Sequence, residues 1–106
     1  GEIETQYSAP AATGFSVTIA PSVDGNNVWL LLTPVAGYDA GTVVLPALAT
    51  LADGQEVIVS TTQAITTLTV SLNGATAANG APTTMAANAY FRLKYDATLS
   101  SWYRIG

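Results

Sequence analysis

GTVVLPALATLADGQEVIVS, residues 41–60, and NAYFRLKYD, residues 88–96, bracket the stretch whose reading decides the fold. Val57, Ile58 and Val59 are β-branched in succession, which disfavours a helix and suits a pleated core strand. Between the quoted ends, Leu68, Val70 and Leu72 alternate with Thr67, Thr69 and Ser71, a strand with one apolar and one hydroxyl face. In the closing stretch Phe91, Leu93 and Tyr95 share one face, expected in the core, and Tyr90, Arg92 and Lys94 share the other. Asp53-Gly54 and Asn73-Gly74 are tight-turn pairs, and the second predicts a hairpin.

Working outward, Phe15, Val17 and Ile19 alternate with Ser16 and Thr18, and Pro21 ends that strand because it cannot donate to a ladder. Asp24-Gly25-Asn26-Asn27 is a turn; a calcium loop, the sharper alternative, needs further oxygen ligands at set spacing, and none follow. Val28–Thr33 (VWLLLT) is apolar on both faces, which suits either a central strand or a strand at a subunit contact. Its Trp29 indole needs a hydrogen-bond acceptor if buried. Ala47–Leu51 permits a single helical turn. Tyr90–Tyr95 and Ser101–Ile105 are expected to pair as a hairpin, aligning Trp102 and Arg104 with Tyr90, Arg92 and Lys94. That face suits a protein contact, carbohydrate stacking or ordinary cross-strand packing.

Residues 1–13 show no sustained period. They are expected to form an extended arm that either frays or docks on a neighbouring chain through Ile3, Tyr7 and Pro10. Deleting such an arm should leave the unfolding of the body little changed. No stretch longer than a turn has the 3.6 period, and turn signals recur every 8–12 residues or so. The expected architecture is all-β: a compact β-sandwich or small barrel of short antiparallel strands, a single domain over 14–106 behind the arm. TVVLPA, VIVSTT and LTVSLN each end in a turn, but at no fixed period that would mark a solenoid.

Composition narrows the function classes. The 106 residues are 49% hydrophobic, much of it Ala, and only 9% charged, against roughly 25% in ordinary soluble domains. So thinly charged a surface suits a protein covered by neighbours, and also suits a Thr-rich β-protein of small side chains. Net charge is −4 and Arg92, Lys94 and Arg104 are the only bases, so no basic patch exists to neutralise phosphates and nucleic-acid binding is not expected. No apolar run approaches the roughly 18–20 residues that cross a bilayer, and no membrane partner is expected. With neither Cys nor His, thiolate chemistry, imidazole-assisted nucleophiles and the two commonest zinc ligands are all missing. Asp24, Asp39, Asp53, Glu56 and Asp96 are candidates for a glycosidase carboxylate pair, but most sit in Gly-containing turns where acids are ordinary. Neither GxxxxGK nor GxGxxG occurs. No enzymatic activity and no cofactor are expected.

VWLLLTP, GTVVLPA, LADGQEVIVSTTQAITTLTV, NGAT, GAPTTMAANAYFRLKYD and SWYRIG together resemble a small β-module of tailed-bacteriophage virion proteins, found in head-decoration, head-fibre and tail-fibre proteins. The resemblance runs over roughly Val28–Gly106 and rests on strands and turns; it carries no catalytic residues. It implies a virion structural protein, often a homotrimer. Without a long shaft the expectation is a capsid decoration protein on the outer surface of the head, bound to the major capsid protein; the alternative is a receptor- or glycan-binding fibre head. Candidate capsid or subunit contacts are Ile3, Tyr7, Pro10, Trp29, Arg92 and Arg104.

Overall fold

The computed structural model describes residues 2–106. Nine strands follow in order: β1 Ile3–Ser8, β2 Phe15–Thr18, β3 Asn27–Leu32, β4 Tyr38–Val44, β5 Glu56–Thr61, β6 Ile65–Ser71, β7 Ala77–Asn79, β8 Tyr90–Asp96 and β9 Ser101–Arg104. They make a six-stranded sheet in the order β1-β3-β5-β8-β9-β7 and a three-stranded sheet in the order β2-β4-β6. The fold is therefore all-β, with single 3-10 turns at Val23–Gly25 and Leu48–Thr50.

Strand direction departs from the antiparallel expectation. β1, β3 and β5 are mutually parallel, and so are β2, β4 and β6. The chain therefore crosses from the large sheet to the small one three times and stacks three coils, a short solenoid rather than a set of hairpins. Only β5–β8 and β8–β9 pair antiparallel among the named strands. Period-2 alternation assigns faces and is silent on direction, so both arrangements suit the same residues. The Asn73-Gly74 turn does form, with positive φ at both residues and the Ala75 N–H donated to the Leu72 carbonyl at 3.2 Å. It joins strands of different sheets, β6 and β7, and so makes no hairpin.

The coils are unequal, which hides the repeat from the sequence. Val17 aligns with Val43 and Val43 with Val70, steps of 26 and 27 residues; Thr5, Trp29 and Ile58 align at steps of 24 and 29. Between the sheets lies one core. Val28, Leu30, Leu32, Val57, Val59, Phe91 and Leu93 enter it from the large sheet, and Ile19, Val43, Leu45 and Leu68 from the side of the small one. The two ends are closed differently. Beyond β5 the large sheet continues into the β8–β9 hairpin. The edge of β6 is covered by Thr83 and Met85, which bond to the backbone of Leu68 and Ile65.

The first coil carries a polar lid. The stretch expected as a free arm is β1, paired with β3 over all six residues, and it aligns Glu4, Gln6 and Ser8 with the core positions Val28, Leu30 and Leu32. Gln6 donates from Nε2 to the Ala20 carbonyl and accepts the Ala20 N–H, both at 2.9 Å, while the Val23 N–H donates to Glu4 Oε2 at 2.6 Å. These side chains bind the backbone that closes the coil, the work of a capping repeat with a polar end. Ile3, Thr5 and Tyr7 alternate with Glu4, Gln6 and Ser8 over these six residues only, and it is the polar set that faces inward.

On the small sheet, Gly41 sits beside Phe15 in register, and a Cβ there would overlap the Phe15 ring. The ring covers the glycine and packs on Tyr38, centroids 6.2 Å apart. Gly41→Val should therefore cost about 1–3 kcal/mol by overpacking, read as a lower urea midpoint at unchanged slope. An unchanged midpoint would mean that the ring turns away freely.

Candidate interaction surface

The outward residues of the large sheet form rows across its strands. One row is Ile3–Asn27, followed on the neighbouring strands by Glu56–Lys94 and Tyr103; the next is Thr5–Trp29–Ile58–Arg92; the third is Tyr7–Leu31–Ser60–Tyr90. Alternation fixes this set, since Val28, Leu30, Leu32, Val57 and Val59 take the inner positions. The result is an apolar and aromatic face in water: Tyr7 is 75% exposed, Tyr90 57% and Ile3 56%. A shallow groove lined by Ile3, Trp29, Ile58 and Ser60 runs along it. The acceptor that the Trp29 indole needs is Ser60 Oγ, 3.0 Å away on β5, so the ring is tied to the neighbouring strand.

Charge on this face is concentrated around Glu56. Arg92 Nη2 lies 2.6 Å from one of its carboxylate oxygens and Lys94 Nζ 3.9 Å from the other. The hydrogen bond that Arg92 donates to Glu56, and then the charge of that carboxylate, raise the Arg92 pKa above its ordinary value. Glu56 is itself held, its N–H donating to Asn27 Oδ1 at 2.9 Å. Two of the three bases of the chain thus lie here, fixed beside one acid.

Of the expected contact residues, Ile3, Tyr7, Trp29 and Arg92 come together on this face. Pro10 does not: it is buried at a corner, its carbonyl accepting the Tyr38 hydroxyl at 3.0 Å. Arg104 aligns with Leu93, on the opposite side of β8–β9, and its guanidinium donates to the Gly80 and Gly106 carbonyls. Trp102, expected on the exposed face with Tyr90, Arg92 and Lys94, aligns with Tyr95 and is fully buried, rings 5.3 Å apart. Tyr103 takes the outward place beside Lys94. The slip is one residue, and one residue exchanges the faces of a strand. Leu31, Ile58 and Tyr103 are the additional members, and alternation within VWLLL and VIV was the signal for the first two.

The other outer face is different in kind. Ser16, Thr42 and Thr69 align across the small sheet, as do Thr18, Val44 and Ser71, giving a hydroxyl-rich surface. Both Asp53 and Asp96 serve the β8–β9 turn, accepting the N–H groups of Ala97 and Leu99 respectively. Among the described residues no group of three or more acids could hold a metal ion, and no helix is long and apolar enough to cross a membrane. Comparison with family models, characterised proteins and solved structures finds no match.

Proposed function

We propose that the chain is a structural attachment module: a decoration protein on the outside of a tailed-phage head, held to the major capsid protein by the outer face of its six-stranded sheet. The observation that carries the attachment is the exposed aromatic face itself, with Trp29 pinned by Ser60 and Arg92 by Glu56. Rigid aromatic and Arg side chains lose little freedom on docking and dominate contact energies. The resemblance of Val28–Gly106 to virion modules supports the location. The role is non-catalytic: the face adds contact area at seams of the shell against the pressure of packaged DNA.

Heads lacking the protein, incubated with purified chain and sedimented, provide the test. Wild-type protein should bind saturably, with a copy number set by the capsomers. Tyr90→Asp with Leu31→Asp should weaken binding at least tenfold, since a central aromatic contact contributes about 2 kcal/mol or more and 1.4 kcal/mol or so is a factor of ten. Tyr90→Asp alone should leave stability within about 0.5 kcal/mol. Undiminished binding by the double variant contradicts the reading. A handful of copies at the tail, with glycan binding through Tyr7 and Tyr90, would favour a fibre head instead.

A further inference from the structure

Among the described residues β1 is the one long strand whose outer edge is open. β7 has three residues and runs into Gly80-Ala81-Pro82, β2 has four, and β6 is covered by Thr83 and Met85. β1 has six residues and no Lys, Pro or bulge; its one edge-blunting feature is the inward Glu4, whose carboxylate accepts the Val23 N–H. The carbonyls of Glu2 and Ser8 accept from Asn27 and Thr33, so the even residues point their backbone at β3. The odd residues, Ile3, Thr5 and Tyr7, therefore direct their N–H and C=O groups away from the sheet. Among the described residues nothing bonds to them.

We propose that this edge pairs with the β1 edge of a second copy of the chain, antiparallel about a two-fold axis at Thr5. That register sets Thr5 against Thr5 of the second copy and Ile3 against its Tyr7, in both directions. All three odd residues then exchange both backbone bonds with their opposites. Threonine pairs and β-branched–aromatic pairs are favourable cross-strand neighbours. On the inner side Glu4 falls opposite Gln6, so the two Glu4 residues meet only on the diagonal, about 7–8 Å apart, with each carboxylate accepting the Val23 N–H of its own chain. Shifting the axis to Glu4 would set Glu4 against Glu4, and shifting it to Gln6 leaves Ile3 without a strand partner. The register is self-complementary, as a closed two-fold contact requires.

The result is one continuous twelve-stranded sheet, with both aromatic faces on the same side because the axis stands perpendicular to the sheet. It is a two-fold assembly, where the virion resemblance implies a trimer. The inference does not depend on the head-decoration reading, because the edge of β1 lies apart from the outer face proposed to meet the shell.

Sedimentation equilibrium of the full chain tests it. The wild type should sediment as a dimer. Thr5→Pro removes an N–H that faces away from β3, so it should abolish the dimer while circular dichroism and the ladder to β3 persist. Ile3→Lys with Tyr7→Glu sets opposite charges across the axis and should keep the dimer; Ile3→Lys with Tyr7→Lys sets like charges and should weaken it at least tenfold. A wild-type monomer or trimer overturns the proposal, and so does a dimer that Thr5→Pro leaves intact or that responds equally to both double variants.

Discussion

Phe91→Ala should unfold the protein or leave it close to unfolding. The ring is fully buried on β8, aligned with Val59 and set between the two sheets. Truncating such a ring costs about 3–5 kcal/mol, set against the roughly 5–15 kcal/mol that holds a domain of this size. Lys94→Ala, on the opposite face of the same strand and half exposed, should stay within about 0.5 kcal/mol. Urea unfolding of both variants decides it. Equal and mild effects would show that Phe91 and Lys94 are on the wrong faces.

Removal of residues 1–8 should be nearly as damaging. A loose arm would leave the unfolding of the body unchanged, but β1 closes the first coil. Its loss breaks the ladder to β3, bares one flank of Val28, Leu30 and Leu32, and frees the Ala20 and Val23 backbone from Gln6 and Glu4. The lost hydrogen bonds, at about 0.5–1.5 kcal/mol each, and the uncovered apolar area outweigh the ordering entropy that β1 no longer loses, about 1–2 kcal/mol per residue, and leave a net cost on the order of 3–5 kcal/mol. Thermal unfolding of the shortened chain should shift down by many degrees. An unshifted transition would mean that the remaining two coils are self-sufficient.

Much of the fold was legible where one face of a strand is apolar and the other is not. Leu68 and Val70 against Thr67 and Thr69, and Phe91, Leu93 and Tyr95 against Arg92 and Lys94, gave their faces directly. Strand direction was not legible, because alternation is the same in parallel and antiparallel sheets. The coil repeat was blurred by turns of unequal length. β1 was not legible because its outward set, Ile3, Thr5 and Tyr7, holds only two large apolar residues, and its inward Glu4 and Gln6 gain their role from the Val23 and Ala20 backbone far along the chain. For the candidate surface, Trp29, Tyr90 and Arg92 were within reach of the pattern. Trp102 and Tyr103 depended on the register across the Ala97–Ser100 turn, where Ser100 has positive φ, and no local residue type sets that register uniquely.

The attachment of the aromatic face is tested most directly by amide hydrogen exchange on the chain free and bound to heads. On binding, β1, β3, β5 and β8 should gain protection along the strands that carry Tyr7, Leu31, Ile58 and Tyr90, while β2, β4 and β6 exchange as they do in the free chain. Protection gained on β2, β4 and β6, with none on β3, β5 and β8, would place the hydroxyl face against the shell and contradict the account.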